Sequence, residues 1–356
     1  MANILENLLS EPLTPWLSGS GPEGEIVLSS RIRLARNLNN QPFPGRASVA
    51  KLGEIVAELT AIPADLMADD GHEYAFIELE KISPLARYVL VEKHIVSPNH
   101  VVKPENRALI VRDDASVSIM VNEEDHLRLQ CLEAGLNLKD AFTKATTVDD
   151  IIENKHGLAF MEHIGYLTAC PTNIGTGLRA SVMIHLPALA ITKQMGTMVA
   201  IATQLGLTVR GLYGEGTEAT GNIFQISNQV TLGRNEQDII NNLSSVVKQI
   251  VDKERMARSL LRDESPDALA DRVWRAYGVL RYAQSLSASE ALALLSEVRL
   301  GIDLGVIDEA PAAVFNQLLV TTQPNFLQNL SGEVALNQAE RNKFRAQLVR
   351  SSLHGS

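Results

Sequence analysis

The sequence predicts an α+β protein: an antiparallel β-sheet flanked by helices, followed by an all-helical C-terminal domain. Three observations predict it. Residues 108–111, 116–121 and 126–132 are rich in β-formers and read as a meander, with Asp113-Asp114 as the first turn. Leu178, Ala180, Val182, Ile184 and Leu186 alternate with Arg179, Ser181 and His185, the period of a strand with one buried face. After Asn235 only helical periodicities occur, beginning with the stripe Ile239, Ile240, Leu243, Val246, Val247, Ile250 and Val251.

The remaining elements follow in order. Pro12, Pro15, Gly19, Gly21, Pro22 and Gly24 make residues 11–25 a loop, and a strand is expected at Ile26–Ser29. Val49, Leu52, Val56 and Leu59 share a helical face across 48–59. Ser83 followed by Pro84 opens a helix running toward His94. Asn137 is expected to cap a helix to about Asn154, and strands recur at 158–162, 207–213 and 222–227. The apolar stretch 187–205, interrupted by Lys193, Gln194 and Gln204, reads as one buried helix on the sheet rather than a membrane span. Helical patterns then occupy 266–285, 288–300, 311–321 and 337–350, and Asp263-Glu264-Ser265-Pro266 reads as a hinge. The expected division is an N-terminal segment 1–24, a catalytic domain 25–257 and a helical C-terminal domain 258–356.

Composition bounds the function. A chain of 356 residues can bury a core without disulfide or metal staples. Its formal net charge of −10 argues against a general nucleic-acid binder. Cys131 and Cys170 are too few for a disulfide framework or a cysteine-rich zinc site, and suit a reducing cytoplasm. Residues 1–10 lack the basic start of a signal peptide. No P-loop, H-E-x-x-H or protein-kinase signature occurs. Gly175-Thr176-Gly177-Leu178-Arg179-Ala180 matches G-x-G-x-x-A, but a dinucleotide fingerprint must open a helix, and the next segment alternates like a strand.

Between His163 and Gly214 there is no Asp or Glu, while Arg179, Lys193 and Arg210 occur. A bound polyanion would explain this, and so would a buried helix between apolar strands. Ser29-Ser30-Arg31-Ile32-Arg33 favours the polyanion: in an extended chain Arg31 and Arg33 point the same way, and two adjacent guanidiniums suit a phosphate. Asn122-Glu123-Glu124-Asp125-His126-Leu127-Arg128 offers carboxylates able to hold a cation or accept a proton, and Glu215 and Glu218 in a glycine-rich stretch supply a second set.

Together these segments resemble the ATP:guanido phosphotransferases, the creatine and arginine kinase family. Cys170-Pro171-Thr172-Asn173-Ile174-Gly175-Thr176-Gly177-Leu178-Arg179 resembles its cysteine signature. S-S-R-x-R, N-E-E-D-H-L-R and R-G-x-x-G-E (Arg210 to Glu215) match in the same order, over about Ile26 to Arg255. The resemblance implies a phosphagen-kinase-like saddle of antiparallel strands, Mg-ATP as cofactor and phosphoryl transfer to a guanidinium nitrogen. It implies phosphate contacts from Arg31, Arg33, Arg128, Arg179 and Arg210 and a nucleotide contact from His94. Around them it implies a nucleotide site of Ser29, Ser30, Ile32, Ala180, Ser181, Val182, Met183, Gly211, Leu212, Tyr213, Gly214 and Glu215. It assigns Glu124 and Glu215 to orienting and deprotonating the guanidinium, and Cys170 as the reactive cysteine; no residue is assigned to a resident metal. Free guanidinium has a pKa above ~12, so a carboxylate must take its proton as attack proceeds.

Only about 25 residues precede the S-S-R-x-R strand, where the small-molecule kinases of the family carry a helical domain. That layout, with a helical C-terminal domain, resembles the bacterial protein-arginine kinases. Arg341-Asn342-Lys343-Phe344-Arg345-Ala346 resembles their R-D-x-x-R-A phosphoarginine-binding motif, with Asn342 in the place of Asp. Arg341 and Arg345 are one helical turn apart and could clamp a phosphate; a solvated helix end explains them equally well. The resemblance implies arginine phosphorylation on proteins with exposed arginine, in stress response and Clp-type degradation. Its implied partners are a stress-gene repressor, a zinc-binding activator and a Clp-type ATPase, with self-association and no direct nucleic acid or membrane contact. A kinase for free arginine, or a catalytically silent phosphoarginine or nucleotide-binding adaptor, are the alternatives.

Overall fold

The computed structural model describes residues 2–212, 219–309, 312–332 and 335–354. Helix α1 (Ala2–Ser10) leads to β1 (Val27–Arg36), α2 (Val49–Glu58), α3 (Ile62–Asp70) and β2 (Tyr74–Glu78). Then come α4 (Pro84–Glu92), α5 (Pro98–Val102), β3 (Ala108–Arg112), β4 (Val117–Val121), β5 (Leu127–Ala134) and α6 (Leu138–His156). A short hairpin, β6 (Phe160–Met161) and β7 (Gly165–Tyr166), precedes β8 (Leu178–His185), α7 (Pro187–Ile191), α8 (Met195–Gln204), β9 (Leu207–Gly211) and β10 (Ile223–Asn228). The chain ends in α9 (Glu236–Glu264), α10 (Pro266–Tyr282), α11 (Ala288–Asp303), α12 (Ala312–Thr321), α13 (Pro324–Ser331) and α14 (Gln338–His354).

Eight strands form one antiparallel sheet in the order β2-β3-β4-β5-β1-β8-β10-β9. β1 is central and longer than the expected Ile26–Ser29, because the S-S-R-x-R residues are themselves strand. Strand alternation divides its side chains between two faces. Ile32 and Leu34, with Leu129, Cys131, Ala180, Val182 and Ile226, sit in the core covered by the stripes of α6 and α9. On the other face Leu132, Met183 and Ile223 join Trp16 and the C-terminal helices in a second core. Ala75, Ile77, Leu109, Val111 and Met120 join Ile4, Leu8 and Leu90 in a third. Arg31 and Arg33 of β1 lie on this second face beyond that core, whereas Arg36 turns to the first face and pairs with Asp149 of α6.

Two expectations need correction. The stretch 187–205 is two helices, α7 and α8, with Lys193 at φ +59° between them. Only Met198 and Ala202 of α8 are buried, because its Ala, Thr and Gly residues offer little apolar surface. Asn137 precedes α6 without a side-chain cap; its N–H donates to Ser30 Oγ at 2.9 Å, and that hydroxyl donates to Gly135 O at 2.8 Å. Helix α9 runs through residues 257 and 258 and ends at Glu264, where Asp263-Glu264-Ser265-Pro266 reads as a hinge in the sequence. Elements α3, β2, α5 and α13 add to those read from the sequence.

A buried ionic network ties the helical region down. Glu254 on α9 accepts from Ala188 N and Leu189 N at the start of α7 (3.0 and 2.9 Å) and from Arg258 Nε (2.9 Å). Arg258 and Arg299 share Asp303, at 3.1 and 2.8 Å. Arg299 donates to Asn316 Oδ1, and Asn316 donates to Leu17 O before β1. Among the described residues no helix is long and apolar enough to cross a membrane.

Candidate active site

The sheet register assembles the arginines. Arg33 stands opposite Arg179 of β8 and Gln130 of β5; Arg31 stands opposite Ser181. Arg128 is the second residue of β5, and Arg210 on β9 is exposed opposite Gln225. Arg31 donates to Gln225 Oε1 at 2.6 Å and to Ser181 Oγ at 3.3 Å; Arg179 donates to Ser227 Oγ at 3.2 Å. These partners are neutral. Among the described residues Arg31, Arg33 and Arg179 have no carboxylate partner, and Arg33 Nε and Arg179 Nε are buried without an acceptor. Burial, then the charges of Arg128 and Arg179, pulls Arg31 down to about 9. Burial and its arginine neighbours push Arg33 well below its ordinary value, and burial followed by Arg210 lowers Arg179. Such a set is short of negative charge and chemically suited to a polyanion such as a phosphate chain.

Cleft and acceptor wall adjoin. One cleft is lined by Arg33, Glu123, Glu124, Arg128, Cys170 and Arg179. It runs into another lined by Arg31, Arg33, His94, Ser97, Arg128 and Leu212. His94 has φ +58° at the end of α4, and its ring meets Trp16 edge-on at 5.8 Å. Burial, then Arg31, lowers it to about 4, so it is neutral at pH 7.

The three successive carboxylates divide three tasks. Glu123 accepts from Arg128 at 2.8 Å and from Ser97 Oγ at 2.7 Å; despite its burial, these bonds hold its pKa below the ordinary range. Asp125 accepts from Asn37 Nδ2 and Ala169 N, both at 2.6 Å, and so anchors the loop before Cys170. Glu124 is exposed in the cleft with no side-chain partner among the described residues. Partial burial, then Asp125 and Glu123, raises its pKa, as suits a proton acceptor. Cys170 is half-buried with Sγ 3.1 Å from Thr172 Oγ1. The loop closes at Gly177, φ +62°, where a Cβ would stand 2.5 Å from Arg36 Nη1 and 2.7 Å from Ala35 O.

Not every sequence-derived residue reaches the cleft. Ser30, Ile32, Ala180 and Val182 are fully buried on the opposite face, as alternation along β1 and β8 requires. Ser29 is buried on the arginine side, and Met183 packs in the second core. Gly211 ends β9 and Leu212 lines the cleft. Tyr213, Gly214, Glu215 and Glu218 lie outside the described residues. Ser97, Gln225, Ser227, Glu123 and Asp125 were missed as positioning groups. Gln225 and Ser227, two apart on one strand, carried a readable signal; Ser97 carried only its place before Pro98.

In the C-terminal helices Arg345 is buried and donates to Thr322 O (2.7 Å), Leu286 O (2.8 Å) and Asn342 Oδ1 (2.9 Å). Arg341 is half-buried and donates to Leu336 O at 2.7 Å. Ala346 is fully buried. Nearby, Glu92 of α4 caps α13, accepting from Asn325 N and Phe326 N at 2.9 and 2.7 Å.

The family model of the ATP:guanido phosphotransferase C-terminal catalytic domain matches residues 55–257, and that of the protein-arginine kinase McsB C-terminal domain matches 266–356. The protein-arginine kinase of Moorella thermoacetica is 51% identical over 341 residues, covering 96% of this chain and 97% of its own length. The chain belongs to the protein-arginine kinase family. Further members are the kinases of Desulforamulus reducens, 47% identical with 98% of both chains covered, and of Bacillus subtilis, 47% identical with 98% and 96% covered. Among solved structures, lombricine kinase matches with a TM-score of 0.57 at 27% identity, covering 68% of this chain and 69% of that one. The duplicated taurocyamine kinase of Schistosoma mansoni, with transition-state-analogue components, shares the fold at a TM-score of 0.60 and 23% identity, covering 80% of this chain and 40% of that one. A protein-arginine kinase fold thus places Arg31, Arg33 and Arg179 on the central strands of a phosphagen-kinase-like sheet.

Proposed function

We propose that this chain transfers the γ-phosphoryl group of ATP to arginine side chains of proteins. The observation that carries the reading is the cluster Arg31, Arg33 and Arg179, in which Arg31 and Arg179 bond to neutral groups and none of the three has an ion-pair partner among the described residues, beside a free Glu124. The phosphates lie across Arg31, Arg33, Arg128 and Arg179, with Arg210 at the edge. The acceptor guanidinium enters between Glu124 and Cys170, with Glu215 as the second carboxylate. A nitrogen of the acceptor attacks the γ-phosphorus; the N–P bond forms, the bond to the β–γ bridging oxygen breaks, and ADP leaves. Glu124 takes the proton the nitrogen sheds. The arginines hold the phosphates in line and neutralise their charge.

Magnesium supplies further charge neutralisation. Glu123 and Asp125 are committed to Arg128, Ser97, Asn37 and Ala169, which leaves Glu124 as the free carboxylate of the described cleft. That set fits a cation carried chiefly by phosphate oxygens and water. Residues 25–257 form the catalytic unit in this reading and the helices beyond it a phosphoarginine-responsive one, through Arg341, Asn342, Arg345 and Ala346. Two free cysteines support a reducing cytoplasm. Stress response, delivery to a Clp-type protease, a repressor substrate, a zinc-binding activator and self-association are proposed on family grounds.

The test offers Mg-ATP with an arginine-rich protein and, separately, free arginine. Acid-labile phosphate mapped to protein arginines is the expected result. Label on free arginine alone would move the chain to small-molecule chemistry, and label on neither, with activator present, would leave a binding protein.

A further inference from the structure

A groove that the phosphoryl chemistry leaves unused lies beside the acceptor end of the cleft. The loop 170–177 is the wall between them. Cys170, Thr172, Asn173 and Gly177 line the cleft, whereas Ile174, Gly175 and Thr176 line the groove. Its remaining walls are apolar at Phe160 and Ile164 of the β6–β7 hairpin and Leu232 beyond β10, with Glu162, Arg234 and Glu236 among them. The three apolar side chains are 53%, 38% and 56% exposed. Single exposed apolar residues are ordinary, but a cluster lining one groove marks an interaction surface.

The groove is built on anchored walls. The Arg36 guanidinium lies 3.5 Å from the centre of the Tyr166 ring and is paired with buried Asp149 at 2.7 Å. Tyr166 OH donates to Glu153 at 3.0 Å, and Tyr166 N donates to Gly175 O at 2.8 Å, which joins the hairpin to the loop. On the other side the Thr231 hydroxyl reaches Thr172 O and Ile174 O at 2.9 and 2.7 Å. Both walls are therefore fastened to the same loop that carries Cys170.

We propose that this groove docks an apolar residue flanking the acceptor arginine of a protein substrate. The inference rests on the protein-arginine kinase reading. An arginine on a polypeptide brings its neighbours to the cleft rim. An extended chain advances about 3.3 Å per residue, so side chains two or three positions away pass over a wall one loop thick. Continuity with the acceptor cleft selects the substrate as occupant over a second copy of the chain.

The test uses two fluorescent peptides with one arginine each, flanked at two and three positions by leucine or by serine. Binding to the full chain is read by anisotropy, with Leu232→Ser and Phe160→Ser as variants at exposed positions. The wild type should bind the leucine peptide about tenfold more tightly, from partial burial of apolar surface. Each variant should lose most of that preference and keep its turnover of a capped single arginine. Equal binding of both peptides by the wild type, or a preference that survives both substitutions, overturns the proposal. So does a drop in oligomer size on gel filtration with the preference intact, which would make the groove an interface between copies. Phosphoarginine on the peptides is read separately: its absence overturns the kinase reading, while the binding preference still decides the groove.

Discussion

Arginines gather in two regions of this molecule under opposite rules. Under α7 and between α9 and α11, Arg258 and Arg299 meet Glu254 and Asp303 with a carboxylate for every guanidinium. On the sheet face Arg31, Arg33 and Arg179 crowd together, with glutamine and serine as the partners of Arg31 and Arg179. The first set balances its own charge, although Arg258 Nη2 is buried without an acceptor. The second is complete only with an anion from outside, and its mutual repulsion is stability given up for binding. What separates a structural arginine from a ligand-binding one here is the charge of its partners.

Substitution should separate the two rules. Arg33→Ala should lower kcat/KM about 10³-fold, within the range of transition-state arginines in phosphoryl transfer. It should leave the unfolding midpoint unchanged or higher, since it relieves repulsion at Arg31 and Arg179. Arg258→Ala should do the reverse, costing about 3–5 kcal/mol in urea unfolding by stranding Glu254 and Asp303, with ATP affinity retained wherever the protein stays folded. A large stability loss in the Arg33 variant would erase the comparison.

The next effect is smaller and depends on pH. Glu124 must be ionised to accept a proton, and its carboxyl is held above the ordinary range by burial and by Asp125 and Glu123. Activity should therefore fall as pH drops through that raised value, at a higher pH than an ordinary carboxylate would give. Glu124→Gln should lower kcat about 10²-fold or more and flatten the acidic limb. An unchanged limb in the variant would assign it to another group.

How much of this was legible in the sequence follows from what each signal depends on. The meander 108–132 and the stripe of α9 were readable because they are local periodicities. So was the pairing of Arg31 with Arg33, once β1 is taken as strand. The tasks of Glu123, Glu124 and Asp125 were not: three adjacent carboxylates look alike until Arg128, Ser97, Asn37 and Ala169 arrive from elsewhere. Ser30, Ile32, Ala180 and Val182 were swept into the site with their motifs, although alternation alone turns them to the opposite face. Helices α3 and α13, short and flanked by turns, gave no periodicity strong enough to read.

Arg345 falls between the two rules and gives the finest test of them. It is buried like Arg258 but held by carbonyl oxygens, with Asn342 Oδ1 where the related motif carries a carboxylate. Burial, then Arg341, lowers its pKa, while Glu92 raises it. Asn342→Asp should make that bond charge-assisted and gain about 1 kcal/mol in unfolding free energy at pH 7. The new carboxyl's pKa is depressed by Arg345, so its contribution is present above the unfolded value of about 3.9 and lost as pH falls through the folded one. The difference between variant and wild type should therefore be seen at pH 7 and vanish in acid. A variant less stable at pH 7 would mean that Glu92 already supplies the local negative charge. Arg345 would then belong with Arg258, as a structural arginine, and a phosphate there would have to be held by Arg341.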